Sequence, residues 1–411
     1  MKTVAIIGGG AAGMIAAGTA ARNGMKVILV DKNKNLGKKL RITGKGRCNI
    51  TNNADIGDFF SQIPVNHKFL YSALYSFTNE DIIKLIEKQG VKTKVERGGR
   101  VFPESDNAHD VADALKRYAL TKNVTWIKDK VTKIKTENGK VFGIELGKKE
   151  IKCDAVIVAT GGMSYPLTGS DGDGYRMAEE AGHSIITPKP SLIPIVTKEK
   201  WVSGLSGLSL KNVELSAYNK KGKKVYTDFG EMLFTHFGVS GPIVLSASAH
   251  LKNYEKEEYT LKIDLKPALS REQLDARIIR DFDKYKKKIL SNGLDDLLPK
   301  SLISVIIELS GIEPDKEISF ITREERTRLL DIIKGIPLTV SGFRPVEEAI
   351  VTSGGIKVSE INPSTMESKL VSGLYFAGEV IDVDAYTGGY NLQIAWSTAH
   401  LAAVSCSMET D

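Results

Sequence analysis

Apolar residues form short unbroken runs near both ends of the chain, with alternating and amphipathic stretches between them. Residues 2–7 are one such run, as a parallel strand buried on both faces requires. Residues 11–23 are rich in small side chains and read as helix, and 27–30 as a second strand. Strand, helix, strand is a βαβ opening. Helical spacing recurs at 80–90, through Ile82, Ile83, Leu85 and Ile86, and again at 108–120. Residues 124–127, 130–136, 140–146 and 150–153 read as a small antiparallel unit, with Asn138-Gly139 as a hairpin turn. Residues 154–159 form another buried strand, ending in Thr160-Gly161-Gly162.

Beyond residue 192 the texture changes. Strand-like runs at 210–218, 223–229 and 259–265 predict an antiparallel β unit. Pro267 opens a charged helical stretch over about 270–317, broken at Asn292-Gly293, Pro299 and Gly311. Strand signals return at 336–340 and 370–376, and a final helix runs over about 391–404. This layout predicts a nucleotide-binding domain with a long insertion between about 192 and 342.

The 411 residues exceed one domain of ordinary size, and 42% hydrophobic with 26% charged is ordinary for a globular chain. Residues 4–21 carry no charge, long enough to raise a membrane span. Gly8, Gly9, Gly10, Gly13 and Gly18 interrupt that run, which reads instead as strand, turn and helix. Cys48, Cys153 and Cys406 are odd in number and far apart. They argue against a disulfide framework, a zinc ribbon or a dithiol centre, and they fit a reducing, cytoplasmic setting. No histidine or acidic cluster has metal-ligand spacing, so no metal site is expected.

The net charge of +7 is local. Lys32, Lys34, Lys38, Lys39, Arg41, Lys45 and Arg47 lie within sixteen residues that hold no acid and no aromatic ring. A nucleic-acid surface predicts a broader stripe with interleaved aromatics. A local anion site is the better reading.

Gly8-Gly9-Gly10-Ala11-Ala12-Gly13 is a G-x-G-x-x-G that follows a strand and opens a helix. Its glycines allow the tight turn, the approach of a pyrophosphate and close helix–strand packing, and the helix N-terminus favours the anion. Asp31 ends the second strand, where a carboxylate takes ribose hydroxyls. Glycine turns at 159–162 and 374–379 let both chain ends approach a long ligand, which favours FAD over NAD.

Further segments follow in order: Gly37-Lys38-Lys39-Leu40, then 43–52 (TGKGRCNITN), 99–103 (GRVFP), 169–174 (GSDGDG), 233–242 (LFTHFGVSGP), 375–382 (YFAGEVID) and 387–393 (TGGYNLQ). On these segments the chain resembles bacterial FAD-dependent oxidoreductases of the aminoacetone-oxidase-like family, which includes flavin reductases of bile-acid intermediates. Asp31 stands where Glu is usual, and Lys45 where a small residue is usual. The resemblance implies an α/β fold with a Rossmann-like FAD-binding domain over 1–192 and 342–411. It also implies an insertion made of an antiparallel β-barrel-like domain, 193–266 and 318–341, and a small helical domain, 267–317.

The residues expected at non-covalent FAD are Gly8, Gly10, Ala11, Ala12, Gly13, Asp31, Lys32, Lys39, Gly44, Gly46, Arg47, Cys48, Asn49, Val131, Thr160, Gly161, Gly162, Gly378, Glu379, Gly389, Asn391 and Leu392. Arg47 is expected to neutralise pyrophosphate, and Cys48 beside it is either a reactive or a packed thiol. Val131 is expected in a strand that offers its backbone to adenine. Gly378 and Glu379 resemble a turn at the ribityl chain. Gly388, Gly389, Asn391 and Leu392 start a helix whose positive end suits the N1–C2=O edge of reduced flavin. Among six histidines, only His236 lies in a glycine-flanked segment of the resemblance, and it is the candidate acid/base.

The expected activity moves a hydride between a small-molecule substrate and flavin N5, as an amine-type oxidase or as a reductase with NAD(P)H as transient donor. No nucleic acid or membrane is expected as partner, and the oligomeric state is not legible. Two readings compete: a flavin-dependent RNA-modifying enzyme, supported by the basic loop and a pI near 9.0, and a flavin-binding sensor without turnover.

Overall fold

The computed structural model describes residues 1–251, 257–345 and 348–408. Small parts of the expected domains, 252–256, 346–347 and 409–411, lie outside the described residues. The chain divides into two compact units, Met1–Ser191 with Val346–Asp411, and Leu192–Pro345.

The first unit is built on a five-stranded parallel sheet. Its order is Leu374–Phe376, Ala155–Val158, Thr3–Ile7, Lys26–Val30, Val124–Ile127. The central strands are buried almost throughout, which accounts for their unbroken apolar runs. The strand order reverses at Thr3–Ile7, so a crevice opens beyond its carboxyl end, where open α/β sheets hold ligands. Helix Ala11–Arg22 packs against helix Tyr390–Ser407. Small residues on the first helix let the two approach. The second is buried over most of its length and has no separate polar face, its buried polar side chains Gln393, Ser397 and Thr398 being hydrogen-bonded inside.

Two sequence expectations change here. Val124–Ile127 is not part of the small antiparallel unit; it is the outer strand of the parallel sheet. An outer strand is half-buried, so Val124-Thr125-Trp126-Ile127 alternates like an antiparallel one. The strand expected from residue 130 begins only at Lys133, and Val131 is a buried residue before it. Val131 therefore stands outside the strand in which it was expected to offer its backbone to adenine.

The second unit holds a closed six-stranded antiparallel barrel in the order Ile195–Thr197, Gly238–Ser240, Lys224–Thr235, Ser209–Asn219, Tyr259–Asp264, Ile336–Phe343. Closure leaves no unpaired edge. Helices Arg271–Lys284, Lys300–Ser310 and Arg323–Ile333 share one hydrophobic cluster with the barrel, through Leu274, Ile306, Leu329 and Ile333. The third helix has no counterpart in the sequence reading. Its signal was legible: Thr322 and Glu325 cap it reciprocally.

Candidate functional site

The crevice beyond the parallel sheet starts at the glycine turn. Gly8 has φ +104°, open to glycine at little cost. Gly13 lies so close to the Gly8 carbonyl that no side chain fits between them. Gly10 is different: a Cβ there would meet nothing within 4 Å. No side chain caps the helix that begins at Ala11. The N–H groups of Ala11, Ala12 and Gly13 therefore have no acceptor from the helix itself, and they open towards free space over Gly10.

Asp31 closes one side. Its Oδ2 accepts the Gly9 N–H at 2.6 Å and its Oδ1 accepts the Asn33 N–H at 2.6 Å. Each oxygen keeps a further lone pair for a ribose hydroxyl. An uncapped helix start, an open cradle at Gly10 and a carboxylate at the next strand end fit a dinucleotide such as FAD.

A loop over residues 163–173 spans the neighbouring strand ends. Lys32 pairs with Asp171 at 2.6 Å and Asp173 at 2.9 Å, and Lys130 meets Asp173 at 2.9 Å. Burial pushes the Asp173 carboxyl up, but Lys32 and Lys130 outweigh it and hold it at about 2. Asn33 Nδ2 donates to Thr168 O at 2.9 Å, and Lys38 Nζ to Leu167 O at 2.6 Å. On the other side, a Cβ at Gly161 would lie 2.9 Å from Ser170 Oγ. Thr160 Oγ1 is buried there with no hydrogen-bond partner.

The C-terminal segment meets this loop through Glu379. Its Oε2 accepts from Lys39 Nζ at 2.7 Å, and its Oε1 from Thr352 N at 2.9 Å and Ser164 Oγ at 3.1 Å. Burial raises the Glu379 carboxyl, and Lys39 with the Thr352 and Ser164 donors turns the net shift downward. Gly162 packs onto Thr352, and Gly378, φ +76°, lies beside Ala12. Both chain ends thus reach the glycine turn.

The loop at 43–50 is wound by Gly44, Lys45, Gly46 and Cys48, all with positive φ. Arg47 is not aimed at pyrophosphate as an unneutralised cation. It is ion-paired with Glu96 and Asp106, and its guanidinium lies 4.1 Å over the Phe102 ring. Cys48 is fully buried, and burial raises its thiol to about 12, so it is a packed residue and not a nucleophile. With the Asn49 amide assigned the orientation that satisfies its neighbours, Oδ1 accepts the Gly389 N–H at 3.0 Å and Nδ2 donates to Thr51 O and Val101 O.

Helix Tyr390–Ser407 begins behind Gly389, φ +102°. Asn391 does not face a ligand with its amide, which bonds the Ala385 backbone at 2.9 and 2.7 Å. Leu392 packs against the core. Buried polar groups fix the helix: Gln393 Oε1 accepts from Thr51 Oγ1 at 2.7 Å, and Trp396 Nε1 donates to Ile50 O at 3.0 Å. Sequence reasoning missed Glu96, Asp106, Ser164, Thr352 and Gln393. Each is a polar residue whose partner lies far along the chain, and no local pattern marks it.

His236 belongs to the second unit. It is exposed in the turn between Lys224–Thr235 and Gly238–Ser240, with its ring edge-on to Phe237 at 5.0 Å. Among the described residues, no three His, Cys, Asp or Glu side chains could hold a metal ion, and no helix is long and apolar enough to cross a membrane.

Comparison with known proteins bears on this site. The model of the HI0933-like protein Rossmann domain matches residues 2–405. A ribosomal RNA dihydrouridine synthase of Haemophilus influenzae is 36% identical, over 98% of either chain. A 3-dehydro-bile acid delta(4,6)-reductase of Clostridium scindens is 32% identical, again over 98% of either chain. Among solved structures, a 3-ketosteroid delta1-dehydrogenase of Sterolibacterium denitrificans superposes with a TM-score of 0.54 at 14% identity, covering 99% of this chain and 100% of that one, a likeness of fold. The chain belongs to the HI0933-like Rossmann-domain family, and it is an enzyme of the flavoprotein oxidoreductase type.

Proposed function

We propose that the protein is an FAD-dependent reductase that adds two hydrogens across a carbon–carbon double bond conjugated to a carbonyl. The carrying observation is the open cradle at Gly10 before an uncapped helix, with Asp31 at the neighbouring strand end. The names of two full-length relatives support the reaction type. A dihydrouridine is a uridine with two added hydrogens, and a delta(4,6)-reductase of a 3-dehydro-bile acid acts on a diene beside a ketone.

In this reading FAD, when bound, supplies a hydride at N5. The N–H groups of Ala11, Ala12 and Gly13 hold the pyrophosphate, and Asp31 holds ribose. Lys39, fixed by Glu379, places positive charge near the glycine turns. The start of helix Tyr390–Ser407 turns its positive end to the flavin edge, through the N–H groups that follow Gly389. NADH or NADPH is the proposed electron source.

A second reading of the substrate has its own support. Two full-length relatives are named ribosomal RNA dihydrouridine synthases, so a uracil base in RNA is the alternative to a small enone. The basic segment does not itself decide this. Four of its seven cations, Lys32, Lys39, Arg41 and Arg47, are paired with carboxylates inside the first unit.

The test uses purified protein whose flavin is identified after acid release. Reduced anaerobically, the protein is mixed with a 3-oxo-4-ene steroid, with a uridine-containing RNA, and with oxygen. Reoxidation by the steroid or the RNA, with a product two mass units heavier, is expected. Reoxidation by oxygen alone, or recovery of no FAD, overturns the proposal.

A further inference from the structure

His183 is buried at the joint between helix Asp173–Glu180 and the outermost strand of the parallel sheet, Leu374–Phe376. Gly182, φ +93°, turns the chain out of that helix, and the His183 N–H donates back to Ala178 O at 2.9 Å. The ring packs edge-to-face on Phe376, with centroids 4.8 Å apart. Its Nε2 lies 2.8 Å from Ser368 Oγ. Ser368 belongs to a turn that covers the outer edge of the strand. Its N–H donates to Leu374 O at 2.7 Å, and the Phe376 N–H donates to Met366 O at 3.1 Å. The same strand runs on into Gly378, beside Ala12, and Glu379, which holds Lys39.

The hydrogen bonds around Ser368 assign the protonation state of the ring. Ser368 Oγ accepts the N–H groups of Leu370 at 3.0 Å and Val371 at 2.9 Å, which occupy both of its lone pairs. Its hydroxyl hydrogen is left for His183 Nε2, which is therefore an unprotonated acceptor, and the ring hydrogen sits on Nδ1. Nδ1 lies 3.5 Å from Glu360 Oε2 and has no hydrogen-bond partner. A proton arriving on Nε2 meets an oxygen with no lone pair to receive it, so the ring charges only if the Ser368 turn opens. Burial acts in the same direction: it pulls the imidazole below its ordinary 6.5, and Glu360 offsets only part of that. Glu360 is the charged side chain that faces the ring, itself held by the Ser184 N–H at 2.8 Å and attracted by Lys357. On the other elements packed there, Glu179 is exposed, Glu180 pairs with Arg176, Lys369 donates to Ser359 O, and Glu367 accepts the Gly373 N–H.

We infer that His183 is a proton-sensitive latch on the cofactor site. Neutral, it locks the Ser368 turn onto the strand that leads to Gly378 and Glu379; proton uptake opens the turn, loosens that strand and lets FAD go. The inference rests on the FAD reading of the crevice. The sign follows from the geometry: the folded ring is held neutral, the unfolded ring is not, so the latch weakens as pH falls below the ordinary 6.5.

The test follows free-flavin fluorescence after dilution of the holoprotein, between about pH 7.5 and about pH 5.5. Release from the parent is expected to quicken about three- to tenfold per pH unit in the lower half of this window, tenfold being the limit for uptake of one proton. His183→Gln keeps an acceptor towards Ser368, and His183→Asn keeps a donor towards Glu360. Neither side chain titrates, so either variant should release flavin at a rate flat with pH. His400 is the other histidine that burial pulls downward, and His400→Gln should keep the parent's slope. Hydrogen exchange of the parent, corrected for intrinsic rates, needs no variant: residues 366–376 should lose protection at the lower pH while helix Ala11–Arg22 keeps it. A flat parent rate, a slope that survives in the His183 variants or vanishes in His400→Gln, or unchanged protection at 366–376 overturns the latch alone. A parent that holds no FAD at the higher pH overturns the FAD reading with it.

Discussion

The Gly389 N–H lies 3.0 Å from the Asn49 side-chain amide, which accepts from it when the amide oxygen is assigned to that side and so ties the start of the C-terminal helix to the loop at 43–50. The same Asn49 amide donates to Thr51 O and Val101 O. One side chain thus holds three backbone groups from three segments.

Asn49→Ala leaves those groups without their partner. Loss of such a hub costs about 1–3 kcal/mol, and it loosens the helix start that the flavin reading requires. We expect a lower melting temperature together with weaker flavin retention. An unchanged melt and unchanged flavin content would show that the loop and the helix are held by other contacts.

Gly10→Val separates fold from cofactor. The residue has φ −80° and ψ −160°, which valine adopts readily, and its Cβ meets no protein atom. The apo protein should melt within about 0.5 kcal/mol of the parent, while FAD is lost, because the new side chain fills the cradle. Gly13→Val should fail to fold, since Gly8 backbone occupies that space. Wild-type FAD content in Gly10→Val contradicts the placement of the cofactor.

Acid stability reports on Asp173. Its carboxyl is held at about 2, below its ordinary 3.8. A depressed carboxylate stabilises the fold above the unfolded value and loses that contribution as pH falls through the folded one. The window is therefore about pH 3.8 down to 2. Asp173→Asn should flatten the stability curve in that window and lower the plateau above it. Denaturant melts across pH check this, and parallel curves for parent and variant would contradict the Lys32 and Lys130 pairing.

The loop over 163–173 should slow FAD release. Lys32→Ala removes two ion pairs that fasten it. Partly exposed pairs contribute about 0.2–1 kcal/mol each, so release should quicken about two- to thirtyfold, and added salt should have less effect than in the parent. Free-flavin fluorescence after dilution measures the rate. Equal rates would place the loop away from the cofactor.

All three cysteines should resist a thiol reagent in the native protein. Cys48, Cys153 and Cys406 are buried, and burial raises each thiol to about 12. Mass spectrometry should find no label until denaturant is added. Rapid native labelling of Cys48 would restore it as a reactive thiol.

The sequence alone determined the parts of this protein that depend on near neighbours in the chain. A glycine turn between an apolar strand and a small-residue helix can be read locally, because backbone freedom and helix-end N–H groups belong to adjacent residues. Unbroken apolar runs likewise announced the central parallel strands at 3–7, 26–30 and 155–158. Pairing was decided only by the tertiary structure. Whether Arg47 faces a phosphate or Glu96 and Asp106 depends on a hairpin some fifty residues away. The Gly389 N–H meets an asparagine 340 residues earlier in the chain. Val124–Ile127 joined the parallel sheet because Lys26–Val30 offered an edge, which alternation within four residues cannot reveal. Charge and hydrogen bonding act through space over a few ångströms, and only the folded chain brings such distant residues within that range.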